Sequence, residues 1–154
     1  VPLREAEAPY EPRVDTGYGL PTDFDGGLRV LVAEDNEVNQ MLVREMLRQL
    51  GHECVLVGDG VEAVAAASQG GFDLVMMDIQ MPRLDGLSAA RRIRALGGSA
   101  GRVPIVALTA NAMPEEREAC LAAGMDGHVA KPVEPRALAA AIERAVSGAA
   151  TGGR

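Results

Sequence analysis

The chain has 154 residues, 47% apolar and 24% charged, with a net charge of −7; this is the size and balance of one soluble globular domain with tails. No apolar run nears the ~20 residues of a membrane span, VPLREAEAPY lacks the basic flank and apolar centre of a signal peptide, and Cys54 and Cys120 are too few for a disulfide scaffold and read as small core residues. Net acidity argues against nucleic acid as a direct partner, Arg91, Arg92 and Arg94 read as a solvated helix face, and the cytoplasm is the expected compartment.

Residues 1–27 read as a linker or tail, with Pro2, Pro9, Pro12 and Pro21, six acids against two arginines, and no sustained periodicity. Tyr10, Tyr18 and Phe24 are unusual in a disordered tail, so part of it is expected to dock. The folded domain is expected over 28–147, and SGAATGGR marks 148–154 as a flexible C-terminal tail.

Within the domain the pattern alternates. LRVLVA (28–33) is a strand, followed by a helix in which Val38, Leu42, Met46 and Leu50 recur every four residues up to Gly51. His52, just after it, reads as a solvated loop residue. CVLV (54–57) is a second strand, and Asp59 with Glu62 has capping-box spacing at the next helix start. FDLVMM (72–77) is a third strand, with Asp85 capping the helix GLSAARRIRAL; Met76, Met77 and Met81 read as packing. VPIVAL (103–108) is a fourth, before a helix opened by Pro114 with Glu115 and Glu116 in its first turn. The charged face of that helix (Glu115, Arg117, Glu118) is a candidate contact surface. Asp126 reads as a solvated turn residue, GHVA (127–130) as a fifth strand, and Pro135 opens a last helix through Leu138, Ile142 and Val146. Five strands alternating with five helices imply an α/β fold, a parallel sheet covered on both faces.

Open parallel sheets bind ligands beyond the carboxyl ends of their strands. Those ends carry Glu34 and Asp35, Asp78, Thr109, and Lys131, the only lysine beside 14 arginines. Three carboxylates brought together repel unless a cation compensates. Oxygen donors without His or Cys suit a hard divalent ion such as Mg²⁺. A metal, an ammonium and a hydroxyl around one carboxylate suit a phosphoryl group, and an Asp carboxylate can be its nucleophile, giving an acyl phosphate. Asp78, at the end of LVMMDIQMP, is the expected phosphoryl acceptor.

With these residues in place the chain, from about Leu28 to Val146, resembles a response-regulator receiver domain of the two-component systems. VLVAEDN is similar to the family's acidic-pair motif, DLVMMDIQMPRLDG to its phosphorylation-site motif, IVALTAN to its hydroxyl motif and HVAKP to its lysine-proline motif. The resemblance implies a flavodoxin-like five-stranded sheet of order 2-1-3-4-5 and phosphorylation of Asp78 by a phosphohistidine partner. Asp35 would bind Mg²⁺ directly, Glu34 would assist through water, and the backbone carbonyl of Gln80 would complete the protein ligands. Thr109 would hydrogen-bond the phosphoryl group and move with it, and Lys131 would pair with its oxygens, its bond to Pro132 cis.

One position departs from the family. Three residues before the lysine, where Tyr or Phe is usual, stands His128. It is either a polar residue on a partly exposed strand or an imidazole acting in the switch. The proline-rich start and the lack of a C-terminal output domain fit the receiver segment of a hybrid sensor histidine kinase, with a histidine kinase or histidine phosphotransfer protein as partner, docking near the first helix and the loops around Asp78. The domain would be a monomer or weak dimer. A stand-alone regulator is the close variant. In another class, an aspartyl-nucleophile phosphatase would need a second acid two residues after Asp78, where this chain has Gln80.

Overall fold

The structure is a computed structural model and describes residues 27–110 and 113–152. The expected linker, including the aromatic residues proposed to dock, lies outside them except for Gly27. Five strands, β1 (Arg29–Ala33), β2 (Glu53–Val57), β3 (Leu74–Asp78), β4 (Ile105–Thr109) and β5 (Gly127–Ala130), form one sheet of order β2-β1-β3-β4-β5, with every neighbouring pair parallel. Helices α1 (Glu37–Gln49), α2 (Gly60–Ser68), α3 (Gly86–Ala95), α4 (Gly98–Gly101), α5 (Pro114–Ala122) and α6 (Pro135–Gly152) cover it.

Side chains alternate across a strand, so a sheet buried on both faces builds two cores from one set of strands. Val30, Val32, Leu74, Met76, Val106 and Leu108 pack against Val43, Leu47, Leu138 and Ile142 of α1 and α6. Their alternates Leu31, Ala33, Val75, Met77, Ile105 and Ala107 pack against Ala63, Ala89, Ile93 and Cys120 of α2, α3 and α5. Cys120 is buried, as its small apolar character suggests, and Cys54 is half-buried against the first core.

The caps explain where the helices begin. Asp59 accepts the Glu62 N–H at 2.8 Å, while the Glu62 carboxylate accepts from Gly58 N, one residue earlier than in the usual reciprocal box. Asp85 accepts the Ser88 N–H at 2.8 Å.

Five readings from the sequence need correction. In α1 the row Val38–Leu42–Met46–Leu50 does not form one buried face: Val38 and Leu42 are 65% and 51% exposed, and Val43, Met46, Leu47 and Leu50 are buried. A step of four residues overshoots a 3.6-residue turn, so the row winds by about 40° per step and leaves the core side. The added helix α4 is a single turn of Gly-Ser-Ala-Gly with no apolar periodicity to announce it. The last helix runs on past Val146, the last apolar residue that marked it in the sequence, to Gly152, with no proline between to stop it. His52 is not solvated but 6% exposed, its Nδ1 accepting the Leu28 N–H at 2.9 Å.

The fifth concerns Arg94, whose side chain is not on a solvated helix face but 25% exposed and bonded at every nitrogen; Asp126 is exposed, as expected, yet is also tied into the fold. The Arg94 guanidinium donates to the carbonyls of Gly124, Gly101 and Val103 at 2.8, 2.9 and 2.6 Å. It also donates to Asp126 Oδ2 at 2.8 Å, and the same oxygen accepts the Ile105 N–H. Among the described residues no helix is long and apolar enough to cross a membrane.

Candidate functional site

The carboxyl ends of β1, β3 and β5 and the segments after them open on one cleft of about 700 Å³. Its walls include Glu34, Asp35, Asp78, Gln80 and Lys131, together with Ala110, the residue after Thr109. The topology places them there: β1 and β3 sit side by side in the sheet, the apolar run Val30–Ala33 of β1 passes directly into Glu34 and Asp35, and β3 is apolar until its last residue, Asp78.

Glu34 is 1% exposed and its backbone and side chain are held by α1. Oε2 accepts the Asn36 N–H at 3.1 Å and the Asn39 amide at 3.4 Å, and Gln40 Nε2 donates to the Glu34 carbonyl at 2.6 Å. Asp78 is 4% exposed. The Gln80 N–H donates to its Oδ1 at 3.1 Å and Lys131 Nζ donates to its Oδ2 at 2.8 Å. Lys131 Nζ also lies 3.1 Å from Glu34 Oε1, an ion pair without the alignment of a hydrogen bond. Burial works against the lysine's charge, but the hydrogen bond to Asp78 and the negative charges of Asp78 and Glu34 outweigh it and raise its pKa above the usual lysine value.

Oxygens of Glu34, Asp35 and Asp78 lie within 4.8 Å of one another. One ammonium faces these three carboxylates, so the cluster keeps an excess of negative charge that a hard cation would offset. Glu34 Oε1 is buried with no hydrogen-bond partner and is faced by Lys131 Nζ at 3.1 Å, which leaves it able to accept from a further cation. The donor set, all oxygen, fits Mg²⁺ or a similar ion.

Thr109 ends β4, is 2% exposed, and its Oγ1 has no hydrogen-bond partner. Its carbonyl accepts the Lys131 N–H at 2.7 Å, which ties the two strand ends together. The Lys131–Pro132 peptide bond is cis. His128 is not brought to the cleft: it is half-buried in β5 opposite Ala107. The loop after Asp78 is gripped from two sides. The α3 start at Gly86 packs on the Asp78 backbone, and Asp59 Oδ2 accepts from Arg83 Nε at 2.8 Å. Arg83 adopts a φ of 68°, a left-handed conformation uncommon for a residue with a side chain.

The motifs did not single out Asn36, Asn39 or Glu116, which also line the cleft. The asparagines carry a sequence signal, as polar residues on the first turns after Glu34-Asp35. Glu116 carries none, since an acid in a first helical turn is ordinary.

Comparison with known proteins agrees with this geometry. A family model described as the response regulator receiver domain matches residues 30–143. Over 142 residues the chain is 42% identical to the sensor protein GacS of Pseudomonas syringae pv. syringae, covering 91% of this chain and 15% of that protein. Thus the chain spans only a small part of the length of this curated relative. Among solved structures, it is similar to the receiver domain of the sensor histidine kinase PA1611 from Pseudomonas aeruginosa PAO1, which has a magnesium ion coordinated in its active site cleft. That match has 45% identity and a TM-score of 0.72, over 79% of this chain and 98% of that one. It also resembles a chain in the co-crystal of the Saccharomyces cerevisiae phosphotransfer protein Ypd1 with the receiver domain of Ssk1, at 33% identity and a TM-score of 0.71, over 80% and 92% of the two chains.

Proposed function

The chain belongs to the response regulator receiver domain family, and on that premise we propose that Asp78 takes a phosphoryl group from a phosphohistidine of a kinase or phosphotransfer protein. The observation that carries this reading is the contact of Lys131 Nζ with Asp78 Oδ2 inside a cluster of three carboxylates. An Asp oxygen attacks phosphorus, the P–N bond to the imidazole breaks with its electron pair going to nitrogen, and an acyl phosphate forms. Lys131 then turns from the carboxylate to the phosphoryl oxygens, and the unpartnered Thr109 hydroxyl donates to one of them. Glu34, Asp35, Asp78 and the Gln80 carbonyl would hold Mg²⁺, which when bound neutralises charge on the transferring group. In this reading the segment catalyses only its own phosphorylation and dephosphorylation.

Val38, Met41 and Leu42 are 65%, 61% and 51% exposed on α1, interleaved with the cleft residues Asn36 and Asn39. Such a patch suits the apolar face of a partner helix, and supports docking of a histidine phosphotransfer protein there. The similarity to sensor proteins of much greater length, a sensor histidine kinase among them, supports assignment of 28–147 as the receiver of a hybrid histidine kinase. The half-burial of His128 away from the cleft favours a structural role over an imidazole switch. Phosphorylation-induced spectral shifts that differ in His128→Tyr would reverse that choice.

The test of the acceptor is direct. Incubated with Mg²⁺ and acetyl phosphate, the protein should gain one phosphate by intact mass, and Asp78→Asn should gain none. Retained label in the variant overturns the assignment.

A further inference from the structure

Among the described residues, three buried side-chain polar atoms have no hydrogen-bond partner: Glu34 Oε1, Thr109 Oγ1 and Glu116 Oε1. Two belong to residues that the proposed function already uses: Glu34, beside Lys131 in the carboxylate cluster, and Thr109, whose hydroxyl would meet the phosphoryl group. The third has no such use. Glu116 stands in the first turn of α5 and lines the same cleft as Asp78 and Lys131. A buried carboxylate oxygen left unmatched costs free energy, so native structures satisfy such atoms with an ion or a water. Among the described residues Lys131 is the one cationic side chain lining the cleft, and it is committed to Asp78 and Glu34. The proposed Mg²⁺ is held by Glu34, Asp35, Asp78 and the Gln80 carbonyl. That leaves water.

We propose that Glu116 holds the water that hydrolyses the acyl phosphate on Asp78, and so sets the lifetime of the phosphorylated state. The inference rests on Asp78 being the acceptor. In the step, the water oxygen bonds to phosphorus as the bond from phosphorus to the Asp78 oxygen breaks, and that electron pair returns to the Asp78 carboxylate. The proton lost by the water passes to Glu116 and from it to the released phosphate. A carboxylate in this place works as a general base, a class of assistance commonly worth about 10²-fold or more.

The experiment loads wild type, Glu116→Gln and Glu116→Asp with acetyl phosphate and Mg²⁺, removes the donor, and follows loss of the phosphate by intact mass. The Gln variant is expected to take the label, melt at the same temperature and need the same Mg²⁺ concentration for half-maximal labelling, while losing phosphate at least about tenfold more slowly. The Asp variant, with the carboxylate drawn back by one methylene, should fall between. Decay as fast as wild type, or faster, overturns the inference. So does a raised Mg²⁺ requirement, which would make Glu116 part of the metal site. Wild type that takes no label would overturn the acceptor assignment as well, whereas label with unchanged decay removes the role of Glu116 alone.

Discussion

Gly86 lies with its bare Cα against the backbone of Asp78. A Cβ there would collide with the Asp78 carbonyl oxygen and crowd Ile79 Cα at 2.8 Å. Gly86 N donates to the Ile79 carbonyl at 2.7 Å, so the contact is made on purpose on both sides of the loop. Backbone cannot step aside as a flexible side chain can, and Gly86→Ala should cost about 1–3 kcal/mol, the usual range for overpacking. Because the displaced atoms are those of Asp78 itself, labelling by acetyl phosphate should fall as well. Gly58→Ala is the control: its Cβ would meet only Glu62 Oε1 at an ordinary 3.7 Å. Urea denaturation and labelling of the two variants check this, and equal behaviour would refute it.

Lys131 offers one compact ammonium to two acids, Asp78 Oδ2 at 2.8 Å and Glu34 Oε1 at 3.1 Å. A guanidinium carries the same charge on a planar fork too broad for that gap. Lys131→Arg should therefore fold, yet label more slowly or fail to transmit the change once labelled. The rate of phosphate uptake and the phosphorylation-dependent amide shifts measure the two effects separately. Wild-type values in both would show that charge alone matters here.

What could be read from the sequence was whatever is local or repeated. The strands are runs of apolar residues, and the polar residue ending each run marks the edge of the sheet where the cleft opens, which is why Glu34, Asp35, Asp78 and Lys131 were found together. Asp59 and Asp85 carry their capping signals within four residues. The features missed depend on distant contacts. The bonds of His52 to Leu28 and of Arg94 to Gly124 and Asp126 span 24 to 32 residues, and no local pattern distinguishes them from exposed polar residues. Glu116 is of the same kind, an ordinary first-turn acid until the fold turns it toward the cleft. The face of α1 failed for another reason, since either of two apolar rows on that helix could have been buried.

Arg94 closes the end of the sheet opposite the cleft, where β4 and β5 begin. Its three carbonyl partners and Asp126 all precede those strands. Arg94→Ala would leave those acceptors without their donor, at a cost of about 2–4 kcal/mol. Arg94→Lys should recover only part, since one ammonium cannot reach four oxygens. Chemical denaturation should show this loss, while labelling of Asp78 under native conditions stays near wild type because the cleft is at the other edge. Labelling that falls in proportion to stability would refute the separation.

His52 makes stability depend on pH in a window that opens above the range of the carboxylates. Burial lowers its pKa to about 4 from an ordinary 6.5, against a weaker opposing pull from Asp73. Its Nδ1 must also stay unprotonated to accept the Leu28 N–H. The folded protein thus keeps the ring neutral down to about pH 4, whereas the unfolded chain takes a proton near 6.5. Between those values the unfolded state binds more protons, so stability is complete above 6.5 and declines as the pH is lowered toward 4, by up to about 3 kcal/mol. Urea titrations at intervals from pH 7 to 5 isolate the upper part of this window before most carboxylates begin to protonate. Wild type should lose stability steadily there, and His52→Gln, with no ring to protonate, should not. Parallel profiles for the two proteins would mean that His52 titrates no differently folded than unfolded.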